Sequence, residues 1–228
     1  MADKVLMNEY KDLAKETWTN ISLINDNIFE WSVALIVLNP DSLYYGGYFK
    51  ARMNFPKNYP YEPPDFRFER SLWHPNVYPD GRLCISILHQ PGEDAMSGEL
   101  ASERWSPAQR VESVLISVLS LLDDAEVSSP ANVDAGVMLR NSPEQYKQRA
   151  RQDTEKSKED IPADFEMPTH ETAFKKEEST VGGGDFSWDD SDVDEDFGGS
   201  ESEQEMFDDD DDEDEDVEGD SDTDGDKE

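Results

Sequence analysis

The chain has 228 residues, with 55 acidic against 20 basic side chains; the net charge of −35 disfavours nucleic acid and anionic membranes and favours a basic protein partner. Its one cysteine excludes an internal disulfide framework and fits a reducing compartment. The first residues lack a signal-peptide stretch, and the longest apolar run, Val33 to Leu38, is far too short to span a bilayer. The expectation is a soluble intracellular protein.

In chain order, Leu6, Tyr10, Leu13 and Ala14 share one face at helical spacing, with Lys4, Lys11 and Lys15 on polar positions. After Asn20 the chain turns strand-rich. Ile28 to Leu38 is largely apolar and stops at the turn former Asn39-Pro40-Asp41-Ser42. Tyr44 to Phe55 reads as a second strand, in which Phe49, Ala51, Met53 and Phe55 alternate with Lys50, Arg52 and Asn54. Past the proline-rich link Tyr59–Pro64, Phe66 and Phe68 alternate with Arg67 and Glu69 in a third. Short connections between strands imply an antiparallel meander.

A segment from His74 to Leu88 carries the cysteine, and an acidic loop from Gln90 to Arg104 follows it. In Trp105-Ser106-Pro107-Ala108-Gln109, Ser106 reads as a helix N-cap, Pro107 as the first helical position and Gln109 as the closing member of a capping box. The stripe Val111, Val114, Leu115, Val118, Leu121 and Leu122 predicts a core helix. The same start signal at Ser129-Pro130 and at Ser142-Pro143 predicts two further helices. Residues 179–228 hold 25 acidic side chains and one lysine, too few apolar groups to offset chain entropy, so they are expected to be disordered. The division read from this is a domain over 1–165 and an acidic tail over 166–228. The class is α+β: an N-terminal helix, a four-stranded antiparallel meander, a core helix and two C-terminal helices.

Chemistry concentrates between residues 74 and 84. Pro79-Asp80-Gly81 is a turn former that would fold Asn76 back toward Cys84. A thiol beside a carboxamide suits acyl transfer, in which sulfur carries the acyl group and the amide holds the developing oxyanion. Against this stands a hairpin whose small buried thiol merely packs.

Five signatures occur in register: Tyr59-Pro60 with Pro63-Pro64, His74-Pro75-Asn76, Gly81 with Cys84, Trp105-Ser106-Pro107, and Ser129-Pro130. With the order of elements they resemble the ubiquitin-conjugating enzymes, from the first residues to about 160. The acidic loop after the cysteine and the acidic tail are similar to those of the cell-division-cycle branch, which serves cullin–RING ligases of the SCF type. The resemblance implies a transferase that accepts ubiquitin from the activating enzyme as a thioester on Cys84. It would pass it to lysines of substrates or of ubiquitin, building polyubiquitin chains that direct proteins to the proteasome. It implies cytoplasm and nucleus as the location, and no bound metal or cofactor, since ATP is consumed by the activating enzyme. A carrier of a ubiquitin-like modifier, or a non-catalytic acidic binding protein, are the rival readings.

The resemblance also distributes roles. Asn76 would stabilise the oxyanion, with bracing of the turn as the alternative. Ser129 would be the gate for the acceptor lysine while capping a helix. Glu99 and Glu103 in the acidic loop would supply negative charge that orients the lysine amine. Tyr61, Ser106 and Pro107 would face the RING subunit of the ligase, and Lys11 and Lys15 the activating enzyme. His74 is implied to be structural, which argues against a Cys–His protease pair. In the tail, Phe186, Trp188, Phe197 and Phe207 interrupt the acidic run and read as anchors of an arm that docks on a basic groove of a cullin. A merely solvated tail is the other reading.

Overall fold

The computed structural model describes residues 1–92 and 98–173. The expectations placed on Phe186, Trp188, Phe197, Phe207 and the acidic tail around them lie outside these residues.

Helix α1 runs Ala2–Leu13 and turns Ala2, Leu6, Leu13 and, unexpectedly for a charged residue, Glu9 into the protein. Four antiparallel strands follow in sequential order: β1 Thr19–Ile24, β2 Asn27–Ile36, β3 Tyr48–Asn54 and β4 Asp65–Phe68. The β1–β2 hairpin closes on Asn25 and Asp26, both at positive φ (53° and 57°). Asn and Asp tolerate that region better than other residues with a Cβ, and two such residues match the twist of a tight hairpin. β3 begins at Tyr48 rather than at Tyr44. Residues 44–47 form a turn instead, with Gly46 at φ +74° donating to the Val37 carbonyl.

Period-2 alternation sorts the sheet into two faces. Trp31, Val33, Leu35, Ala51, Met53, Phe66 and Phe68 point inward and join Val111, Val114, Leu115, Val118 and Leu122 of the core helix α2 (Val111–Asp123) in one buried cluster. On the other face Ala34, Ile36, Leu38 and Tyr48 are covered by Trp18 and by a strap containing Ile161, Phe165, Met167 and Ala173. That strap includes a short helix, α5 (His170–Ala173), and is tied down where the Thr17 hydroxyl donates to the Ala173 carbonyl at 3.2 Å. The packed chain therefore continues past residue 165, the domain boundary read from the sequence, because Phe165 and Met167 are spaced two apart along an extended segment lying on apolar strands.

Helices α3 (Val133–Asn141) and α4 (Pro143–Ser157) complete the fold. Two of the three expected helix starts are displaced. Ser106 does not cap α2: Gln109 donates to the Ser106 carbonyl at 3.0 Å and closes a single turn, after which Arg110 is extended (φ −123°, ψ 164°). Ser129 does not cap α3 either; Asn132 does, its Oδ1 accepting from the Ala135 amide at 3.1 Å. At α4 the expected Pro143 takes the first position after Ser142, but the Ser142 side chain makes no cap bond. Among the described residues no helix is long and apolar enough to cross a membrane.

Candidate active site

The Cys84 segment is a miniature hairpin. Gly81 donates to the Tyr78 carbonyl at 2.9 Å and Tyr78 donates to the Arg82 carbonyl at 2.8 Å, so Pro79 and Asp80 occupy the middle of the turn as expected. Val77 pairs with Leu83 in an antiparallel bridge, and both are buried. This register sets Asn76 opposite Cys84, whose amide donates to the Asn76 carbonyl at 2.9 Å, and puts Tyr78 diagonally across from Cys84 on the same face. Alternation thus separates a buried face (Val77, Leu83) from a chemical one (Asn76, Tyr78, Arg82, Cys84). The turn is clamped from outside: Arg67 Nε donates to the Asp80 carbonyl at 2.6 Å, and the Asp80 carboxylate takes the amide and Nε of Arg82.

Cys84 is a half-buried free thiol. The Tyr78 phenol lies beside it. Negative charge on Cys84, followed by loss of solvent and a hydrogen bond to the sulfur, raises the Tyr78 pKa, while Arg82, whose guanidinium stands 5.3 Å from the ring centre, lowers it. A hydroxyl held protonated next to sulfur is a donor for a thiolate. Sequence reasoning missed Tyr78. The signal was the hairpin register, because residues two apart from Asn76 and Cys84 must share their face.

His74 has no access to solvent. Its Nδ1 accepts the Asn76 amide at 3.1 Å, which leaves the proton on Nε2, facing the carbonyls of Leu121 and Leu122 without a bond of regular geometry. Burial pushes its pKa down to about 4. A neutral ring whose Nδ1 lone pair is already engaged is no general base at neutral pH.

The Asn76 side chain is 2% exposed as a residue and makes two bonds to one peptide unit: Nδ2 donates to the Glu126 carbonyl and Oδ1 accepts the Glu126 amide, each at 2.9 Å. These bonds hold the segment between α2 and α3 against the hairpin. A second tie, from the Asn132 amide to the Pro75 carbonyl at 2.8 Å, fixes its far end. Ser129 lies between these two ties and is exposed.

The two candidate acids of the loop differ. Glu99 accepts the Ser86 hydroxyl at 2.8 Å, meets His89 Nδ1 at 2.8 Å through both oxygens, and has Arg104 Nε at 3.8 Å. Burial alone would raise its pKa, but the bonds from His89 and Ser86 and the charges of His89 and Arg104 carry it below the ordinary value. Glu99 therefore ties the loop to the 3-10 turn Ser86–Leu88 just after the cysteine. Glu103 is exposed and, among the described residues, accepts the Leu100 amide of its own turn at 3.0 Å.

Tyr61, Ser106 and Pro107 come together as one surface. The Trp105 indole donates to the Pro60 carbonyl at 2.8 Å and its ring lies 5.9 Å from that of Tyr59, which locks the two loops to each other. Tyr61 is 62% exposed. Lys11 and Lys15 are exposed at the end of α1, and Lys15 pairs with Asp12 at 3.1 Å. Among the described residues no three His, Cys, Asp or Glu side chains are grouped so as to hold a metal ion.

Residues 5–154 match the family model described as "Ubiquitin-conjugating enzyme". The chain is 50% identical over 210 residues to "Ubiquitin-conjugating enzyme E2-34 kDa" of Saccharomyces cerevisiae, covering 87% of this chain and 71% of the yeast protein. It is 49% identical over 158 residues to "Ubiquitin-conjugating enzyme E2 13" of Arabidopsis thaliana, covering 68% of this chain and 95% of the plant protein. With "Ubiquitin-conjugating enzyme E2 15" of Schizosaccharomyces pombe it shares 42% over 153 residues, 66% of this chain and 91% of the other.

Proposed function

The chain belongs to the ubiquitin-conjugating enzyme family and is a transferase of that class; we propose that it carries ubiquitin as a thioester on Cys84 and works with cullin–RING ligases of the SCF type. The observation that carries this reading is the hairpin register, which gathers a half-buried thiol, a phenol donor and a carboxamide on one face. In the first step the Cys84 thiolate attacks the carbonyl of ubiquitin held as a thioester on the activating enzyme. A new S–C bond forms and the activating enzyme's thiolate leaves. In the second step a lysine amine attacks that carbonyl, the C–N bond forms, the C–S bond breaks, and the amine proton leaves to solvent or a nearby base.

Within that scheme Tyr78 donates to sulfur while it is anionic. Asn76 contributes in two ways: its pair with Glu126 holds the gate segment, and the remaining N–H on Nδ2 is a donor for the oxyanion. Ser129, exposed between two ties, is the residue past which the acceptor lysine enters. Activating enzyme is taken on Lys11 and Lys15, and the RING subunit on Tyr61, Ser106 and Pro107. The acidic tail, with Phe186, Trp188, Phe197 and Phe207, docks on a basic cullin surface, an attraction that salt would weaken. Polyubiquitin chains on cell-cycle regulators are the proposed product, made in cytoplasm and nucleus. No cofactor is needed on this chain, ATP being hydrolysed upstream.

The test is a gel. With activating enzyme, ATP and ubiquitin, the chain should form a reductant-sensitive adduct that Cys84→Ala lacks, and a cullin–RING complex should speed its discharge to lysine. An adduct that survives reductant, or one that persists in Cys84→Ala, would overturn the assignment; preferential loading of a ubiquitin-like modifier would redirect it.

A further inference from the structure

Three distant stretches of chain meet at one buried carboxylate. Glu9 of α1, only 9% exposed, accepts the Tyr59 hydroxyl at 2.9 and 3.1 Å through its two oxygens and the Val111 amide at 2.7 Å. Val111 is the first residue of α2, where unpartnered amides need an acceptor. The usual local cap is absent, because the preceding residue is Arg110, whose guanidinium offers donors only. The missing acceptor is supplied from another helix. Each donor adjoins the surface assigned to the ligase: Tyr59 is two residues before Tyr61, and Val111 is four after Pro107. Through Trp105 those two loops are already joined to each other; through Glu9 both are joined to α1.

An apolar side chain at this position would pack in the same core without the cost of burying a carboxylate, a cost visible in the raised pKa of Glu9. What it could not do is accept one donor from a loop, Tyr59, and another from the start of α2, Val111. We propose that Glu9 is a positioning residue: it holds the loops at 58–64 and 104–110 in the one arrangement that a RING partner recognises. The inference rests on the ligase-facing reading of Tyr61, Ser106 and Pro107, and the experiment separates the two.

Full-length wild type, Glu9→Ala, Glu9→Gln and Tyr59→Phe are charged with ubiquitin, and discharge to free lysine is measured against RING concentration, alongside backbone amide exchange. In Glu9→Ala the half-saturating RING concentration should rise about tenfold while the plateau rate changes by no more than about twofold. Amide exchange should quicken in both loops and not in β2 or β3. Glu9→Gln should return to within about threefold of wild type, since Oε1 still accepts Val111 and Nε2 can donate to the Tyr59 oxygen. Tyr59→Phe, which spares the helix cap, should show a smaller rise and decides the matter if Glu9→Ala does not fold. An unchanged half-saturating concentration in folded Glu9→Ala overturns the proposal. So does a loss of plateau and saturation together with general loosening that Glu9→Gln fails to rescue. If RING does not stimulate wild type, the ligase reading fails instead; exchange then decides alone, joint loosening of the two loops supporting the positioning role and unaltered exchange overturning it.

Discussion

The Asn76 carboxamide and the Glu126 peptide unit grip each other through two 2.9 Å hydrogen bonds, so the residue expected beside the thiol also fastens the segment between α2 and α3, 50 residues away. Removing the side chain leaves a donor and an acceptor of Glu126 without partners in a part-buried place. Asn76→Ala should lower unfolding free energy by about 2 kcal/mol, read as a shift in urea midpoint at constant slope. If the second N–H serves the oxyanion, lysine transfer should also fall on the order of 100-fold, with loading far less affected. A variant that loses the stability and still transfers at the wild-type rate would assign Asn76 to bracing alone.

Tyr78 stands beside Cys84 because both occupy one face of the hairpin. The charge of Cys84 keeps the Tyr78 hydroxyl protonated next to sulfur, where it would serve as a donor once the sulfur is charged. Tyr78→Phe keeps the ring under Arg82 and removes only that donor. Alkylation of Cys84 by iodoacetamide at neutral pH should slow roughly fivefold, the scale of one hydrogen bond to a charged group that is partly screened by water. Equal alkylation rates in the two proteins would remove Tyr78 from the chemistry.

The fold was legible where periodicity dominates. Alternation in Phe49–Phe55 and in Phe66–Glu69 and the stripe on α2 depend on burial, which residue type reports directly. Helix starts were less legible: Ser106 and Ser129 carry good local cap signals, yet α2 takes its acceptor from Glu9, 102 residues away, and α3 takes its cap from Asn132. Local rules cannot see an acceptor brought by tertiary packing. Cys84 and Asn76 could be singled out from their own chemistry. Tyr78 and the Glu126 peptide could not, since the first needs a pairing register and the second is backbone, which has no sequence signature. The strap over the sheet was invisible for a related reason. Ile161, Phe165 and Met167 are too sparse to register as periodic, but lie against apolar strands.

Acid should unfold the protein partly through His74. In the folded chain its pKa lies at about 4 because burial disfavours the charged ring, against 6.5 when exposed. Below pH 6.5 the unfolded chain therefore takes up a proton that the folded chain refuses, so stability falls as pH drops from 6.5 to 4 and this contribution is flat on either side. The full loss is about 3 kcal/mol. His74→Asn, whose Oδ1 can accept the Asn76 amide, should flatten the slope of unfolding free energy across that window. An unaltered slope would mean that other groups set the acid limit.

Glu99 and Glu103 carry the same charge four residues apart and should not behave alike. Glu99→Ala removes the acceptor of Ser86 and His89 and frees the acidic loop from the turn after the cysteine. Discharge to lysine should slow about tenfold and loading by less than about twofold, since two part-buried bonds to a charged group are lost at a site that loading does not need ordered. Glu103→Ala gives up one exposed turn bond and should change both steps by less than about twofold. Equal slowing of loading and discharge in Glu99→Ala would show that the acid supports the cysteine itself. Equal loss of discharge in both variants would favour summed loop charge over the tether.

Gly81 has no substitute in the active hairpin. Its φ of +89° is a conformation that residues with a Cβ rarely adopt, and a Cβ built there would stand 2.3 Å from the Phe68 carbonyl oxygen. The same contact brings Phe68 N–H to the Gly81 carbonyl at 2.9 Å, so the close approach of turn to β4 is itself a hydrogen bond and cannot relax without losing it. Gly81→Ala should therefore cost at least about 2 kcal/mol of stability. Because Tyr78, Arg82 and Cys84 are placed by this turn, loading should fall further than a purely global destabilisation would require. The measurement is the loading rate at a temperature where both proteins are more than nine-tenths folded; an unchanged rate there would mean that the arms of the hairpin hold their register without the turn.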